Sequence, residues 1–183
     1  MSALTAFWRE TRGAAAAEFV LWLALLTLPL LNAVDLGIYV FQKMQVQMAA
    51  QAATHAVWRA CDAPAKLPAV TNCTGLAATI QTAAQSTSLG SQITVVAGSP
   101  TEGYYCVDGA GALQVVGVAG TIGSAPTRPT PFTCATRITG STTAPGDYVQ
   151  VTVSFPYQPV FDQVSMANLL TTPITHTAWM RLN

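Results

Sequence analysis

The sequence predicts an α+β protein: a long N-terminal transmembrane helix that continues into a small disulfide-containing antiparallel β domain. Three features carry that expectation. No charged residue occurs from Phe19 to Val34, and the run is almost wholly apolar. From Ile38 to Ala60 there is neither Gly nor Pro, and helix formers dominate. Near the C-terminus, Val149, Val151, Val153 and Phe155 alternate with Gln150, Thr152 and Ser154, the two-residue period of a strand with one buried face. Composition agrees, because 51% of the 183 residues are hydrophobic and only 9% charged, where ordinary soluble domains carry roughly one quarter charged. That length suits one small domain plus an anchor rather than two domains.

Residues 1–13 read as a short polar leader. Arg9 and Arg12 outweigh Glu10 there, a positive-inside bias that leaves this end in the cytoplasm and the remainder outside. Residues 14–60 form the long helix, and its part from about 14 to 41 exceeds the ~20 apolar residues that cross a bilayer. Run to Trp58 at 1.5 Å per residue, the helix is about 68 Å long, well beyond a ~30 Å hydrocarbon layer. Pro29 removes one backbone donor inside the apolar part and is expected to kink or loosen it. Past the membrane, Phe41, Met44, Met48, Ala52 and Ala56 recur every three or four residues. They are expected to form the packed stripe, with Gln42, Lys43, Gln45, Gln47 and Gln51 largely away from it.

Residues 61–183 read as the exported globular α+β domain. Thr74 is placed to cap a helix from Gly75 to about Ser88 with Leu76, Ile80, Ala83 and Ala84 on one side. Strands are expected at Ile93–Ala97, Tyr104–Val107 and Leu113–Val118, separated by Gly-rich turns. Three prolines make Ser124–Pro131 a loop. The valine strand ends at PYQP, a short amphipathic helix is expected over Phe161–Leu170, and Ile174–Leu182 returns as a strand antiparallel to it. The small sheet should pack on the C-terminal half of the long helix.

All four cysteines follow the apolar segment. In an exported domain Cys61, Cys73, Cys106 and Cys134 make two disulfides with three connectivities open, and Cys61–Cys73 with Cys106–Cys134 is favoured because each closes a local loop. Metal is not expected: CxxC is absent, and His55 and His176 lack ligand spacing. No cofactor is implied, since the glycines of residues 109–123 lack the Lys and following helix of a phosphate loop. Charge is balanced, eight Lys plus Arg against eight Asp plus Glu, so nucleic acid is a poor partner. Asp108, Asp147 and Asp162 stand among turn residues and His176 on an apolar strand face, so no catalysis is expected. Tyr104, Tyr105, Tyr148, Tyr157 and Trp179 suit sheet packing better than a sugar- or surface-binding patch.

Glu18 is the residue that needs a reason, because a carboxylate beginning an apolar span is costly. A helix start supplies one, through the macrodipole. A cut after Gly13 supplies another, since Ala14 would then carry a free amine one helical turn from Glu18. The segment RGAAAAEF, with its polar leader ending in Gly and its apolar helix beyond, is similar to type IV prepilins, and in this form it resembles the TadE-like minor pilins, or pseudopilins, of tight-adherence (Tad/Flp) pilus systems. VQVTVSFPYQPVF and ITHTAWMR resemble the closing half of the same family.

The resemblance implies a pilin-like fold and cleavage between Gly13 and Ala14 by a prepilin peptidase. It implies assembly through Glu18 and Phe19, with the glutamate neutralising a neighbouring subunit's terminal amine. Two unit charges 4 Å apart gain about 1 kcal/mol in water but about 4 kcal/mol at an effective dielectric of 20, so such pairing matters where water is scarce. Ala14 to Ala17 let helices approach closely. Implied partners are other pilin subunits, the peptidase, the inner-membrane assembly platform and the membrane. The implied location is the bacterial inner membrane with the C-terminal domain exported, then the pilus at the cell surface, where adhesion by the β domain is a further expectation. The chain is much longer than a Flp-type major pilin, so a minor or initiating subunit fits. The alternatives are an uncleaved single-pass envelope protein with an exported binding domain, and a signal peptide before a free domain.

Overall fold

A computed structural model describes residues 11–182. Residues 1–10, most of the expected leader, lie outside the described residues. The first element is one helix, α1 (Thr11–Ala60), which contains Pro29 without ending there. Polar side chains inside the apolar run bond to their own helix: Thr27 Oγ1 donates to the Leu23 carbonyl at 2.6 Å and Asn32 Nδ2 to that of Leu28 at 2.9 Å. Such back-bonding satisfies groups that have little water to turn to.

Two compact units partition the chain. One comprises the helix as far as Phe41 together with Gln158–Thr171; the other comprises Gln42–Tyr157 with the residues from Thr172 onward.

In the first unit, residues 158–171 are turns followed by a short 3-10 turn, Met166–Leu169. The amphipathic helix expected over Phe161–Leu170 does not form. Two of its backbone donors, those of Phe161 and Met166, go to side chains of α1 instead, as described below.

In the second unit the face of α1 that packs is Val46, Ala49, Ala50, Ala53, Thr54 and Val57, all buried. This corrects the expected stripe, since Phe41, Met44 and Met48 are about half exposed. The packed face is built from small side chains, which allow the close approach that Met and Phe would block. Thr54 is accommodated there because its hydroxyl bonds the Ala50 and Gln51 carbonyls.

After α1 come α2 (Ala69–Asn72) and α3 (Leu76–Ala84). The expected cap at Thr74 is replaced by Gly75, whose φ of 72° is left-handed and suits glycine. The helix also stops short of Ser88, because the Ser86 amide and hydroxyl both turn back to the Ala83 carbonyl. Leu76, Ile80 and Ala84 are its buried side.

Five strands follow: β1 (Thr94–Val95), β2 (Thr101–Val107), β3 (Leu113–Thr121), β4 (Gly146–Phe155) and β5 (Ile174–Arg181). All pair antiparallel. β4 is central, with β5 along one edge from Tyr148↔Arg181 to Phe155↔Ile174. Its other edge is shared, β2 pairing with Gly146–Gln150 and β1 with Val153 and Ser154. β3 lies outside β2, with a register shift between Glu102 and Tyr104. β1 is shorter than expected because Ser99 N–H turns back to the Val96 carbonyl, with Gly98 at φ 83° between them. β2 and β3 are longer than expected.

Disulfides join Cys61 to Cys73 and Cys106 to Cys134. The first ties the end of α1 to the residue after α2. The second ties β2 to a 3-10 turn, Cys134–Thr136, and its sulfurs share a small buried cluster with Val116.

Candidate functional site on the N-terminal helix

Gly13 and Ala14 lie in the first turn of α1, and Glu18 and Phe19 follow on its exposed surface. No acidic residue falls in the first turn of the helix as it stands. Glu18 is nearly two turns in, where the macrodipole no longer favours a carboxylate. Among the described residues it makes no salt bridge. Around it Val20, Leu21, Trp22, Leu23, Leu25 and Leu26 are all more than half exposed. The helix is long and apolar enough to cross a membrane. Such a surface must be covered by lipid or by other helices.

At the far end of the apolar run stands a second carboxylate. Asp35 is fully buried. It accepts the backbone N–H of Val160 at 3.1 Å and of Phe161 at 3.2 Å, and the hydroxyl of Ser165. One turn earlier, Asn32 Oδ1 accepts the Met166 N–H at 2.6 Å while its Nδ2 donates to the Val164 carbonyl at 3.2 Å. Tyr39 donates to the Thr171 carbonyl at 3.3 Å. These three side chains hold residues 158–171 in a non-helical path. Sequence reasoning passed over Asp35 because its partners are 125 positions away.

A third acidic feature lies in the second unit. Glu102 on β2 has no exposed surface and Asp147 on β4 only 8%. Glu102 accepts the N–H of Ala69 at 2.9 Å and of Val70 at 2.8 Å, and a side-chain hydrogen bond joins the two carboxyls. Burial pushes the Glu102 carboxyl above its ordinary range, partly offset by the Val70 and Ala69 amides. Burial, and then Glu102 itself, pushes Asp147 up to about 7. The pair therefore holds a shared proton near neutral pH. Asp147 borders a cavity of about 480 Å³ that Tyr104, Arg128, Phe132 and Arg181 also line. Arg128 sits 4.0 Å over the Phe132 ring, and Tyr104 meets that ring edge-on at 5.4 Å.

The remaining candidates have local explanations. Asp108 accepts the amides of Ala110 and Ala112 and the Gln114 side chain, and these bonds, that of Ala112 foremost, hold its carboxyl below the usual range. That is a turn device. Asp162 is exposed, and Asp147 is joined to Glu102 rather than to either of them. The five aromatics do not form one surface: Tyr105 and Tyr157 are buried, and Tyr105 packs edge-on against Tyr148 and Trp179. Among the described residues, no group of three or more His, Cys, Asp or Glu is placed to hold a metal ion.

Comparison with known proteins gives one positive finding. No protein of curated function and no solved structure matches the chain. A family model does, that of the TadE-like proteins, and it matches residues 13–55. The matched region opens at Gly13 and takes in Ala14, Glu18, Phe19 and Asp35. Over its N-terminal helix, the chain is thus similar to the TadE-like proteins, the family its sequence resembles.

Proposed function

We propose that this protein is a minor pilin, or pseudopilin, of a Tad-type pilus: an inner-membrane precursor cut after Gly13 by a prepilin peptidase and assembled through its N-terminal helix. The observation that carries the reading is that the TadE-like match starts at Gly13 and includes Glu18. Its division is a leader over residues 1–13, a helix over 14–60 that spans the membrane from about 14 to 41, and an exported domain over 61–183. The role is structural, without catalysis.

The position of Glu18 supports the cut. In the uncut helix this carboxylate lies past the first turn and, among the described residues, makes no salt bridge. After cleavage it becomes the fifth residue, one helical turn from the new terminus and within reach of a terminal amine on a neighbouring helix. The exposed apolar wall from Val20 to Leu26 becomes the surface that neighbouring helices cover. Partners on this reading are other pilin subunits, the peptidase and the assembly platform of the inner membrane.

The mass of the protein recovered from its host tests the reading. A start at Ala14 is expected. A start at Met1 would leave an uncleaved single-pass anchor, and one near residue 35 a signal peptide. Gly13 replaced by a bulky residue should block processing. Glu18→Ala should leave processing largely intact and lower pilus incorporation; equal incorporation would refute the charge-pairing role.

A further inference from the structure

We propose that residues 158–171 form a lipid-facing foot, which rests in the outer membrane–water interface beside the end of the apolar span. The inference rests on reading α1 as membrane-spanning. From Glu18 to Asp35 the helix rises about 26 Å at 1.5 Å per residue, so with Glu18 at the inner edge of a ~30 Å hydrocarbon layer, Asp35 comes within about 5 Å of its outer edge and Asn32 lies three residues deeper. The segment held by those two side chains lies at the same depth.

Two observations fit that depth. Backbone outside a helix or sheet is tolerated near lipid only when its polar groups are satisfied internally. Here the amides of Val160, Phe161 and Met166 and the carbonyl of Val164 are each bonded by Asp35 or Asn32. Four large apolar side chains are left outside, Leu169 at 84% exposed, Met166 70%, Val160 62% and Val164 44%, interspersed with the exposed polar Gln158, Asp162, Gln163, Asn168 and Thr171, the mixture an interface accommodates. In water this would be an unfavourable arrangement for so short a segment. In the interface it continues the exposed surface of Leu30, Val34 and Leu36. A cleft of about 400 Å³ lies between helix and segment, lined by Pro29, Ala33, Leu36, Met166 and Leu170, with Asn32 its single polar residue. It has room for part of an acyl chain. Asp162, the segment's single charged side chain, is exposed, which places the foot at the interface rather than deep in hydrocarbon.

The test uses the full chain, disulfides intact, in phospholipid vesicles, with a spin label at Met166→Cys or Leu169→Cys. Leu25→Cys serves as the span control and Thr139→Cys as the aqueous control. Accessibility to oxygen and to a water-soluble nickel complex is then measured. The foot labels are expected to fall between the two controls, with oxygen accessibility above that at Thr139 and nickel accessibility several-fold below it. Foot labels that resemble Thr139 while Leu25 stays lipid-like would overturn the foot and leave the span standing. Leu25 in water would remove the span reading, and the foot with it. Foot labels shielded from both reagents would show a protein cover, such as a second copy, and refute lipid as the occupant.

Discussion

A carboxylate removed from water can be met by N–H and O–H donors or can keep its proton. Asp35 is met by two amides and a hydroxyl. Asp35→Ala leaves those three donors without an acceptor, at about 1–3 kcal/mol for each that stays buried. The expected outcome is release of residues 158–171, seen as faster amide exchange at Val160 and Phe161 with little change at Val151. Glu102 and Asp147 take the second course. Asp147 titrates at about 7 in the fold against about 3.9 unfolded, so between these values the folded state binds the extra proton. Stability therefore falls as pH rises from about 4 through 7. Asp147→Asn should abolish most of that slope, raising Tm by about 3 °C or more at pH 8 relative to the parent and changing it little at pH 4. A parent Tm that is flat over this range would contradict the shared proton.

At the scale of elements, what could be read from the chain depended on where each element's partners lie. α1 and the β4–β5 pair were legible because their signals are local: an uncharged run, a helix-forming stretch and alternating valines. The packed face of α1 was not, because that helix is apolar on more than one side. Spacing pointed to Phe41, Met44, Met48, Ala52 and Ala56, whereas close packing selected Val46, Ala50, Ala53 and Val57. Phe161–Leu170 has a helical spacing, yet Asp35 and Asn32 capture the Phe161 and Met166 amides and override it. Asp147 looked like a turn residue, and only the register of β4 shows that it belongs to the buried row of Val149, Val151 and Val153. The proposed site at Gly13 and Glu18 is a motif of six contiguous residues, so the chain alone suffices to suggest it, and the TadE-like match covers it. Disulfides act at this scale as well. Their sequence separations of 12 and 28 imply loop-closure contributions of about 3 and about 3.5 kcal/mol. Cys106→Ser with Cys134→Ser should cost more than Cys61→Ser with Cys73→Ser, because the longer loop is freed and hydroxyls are also placed beside Val116. Denaturant unfolding of the full chain in detergent measures both; equal losses would count against the core role of the second bond.

For the whole molecule, one helix has two tasks past the membrane, and they fall on different faces. Val46, Ala49, Ala50, Ala53 and Val57 are spent inside the fold, whereas Phe41, Met44 and Met48 stay about half exposed. A scattered exposed apolar residue needs no explanation, but three at helical spacing make an apolar patch. If the protein enters a fibre through its helix, this is the surface that neighbours cover beyond the bilayer. The two faces then respond oppositely to substitution. Met44→Ser with Met48→Ser removes little that is buried in the isolated chain, so Tm should stay within about 2 °C of the parent, while incorporation into pili should fall markedly. Ala50→Leu, which forces extra methylenes into a closed contact, should cost about 1–3 kcal/mol of stability and lower incorporation only as far as it lowers the amount of folded protein. Thermal unfolding in detergent and the ratio of pilus-bound to membrane-bound protein separate the two effects. Were the methionine pair to unfold the chain, the exposed face would have to be packed after all. Were it to leave both readouts unchanged, the fibre contacts would end at the membrane.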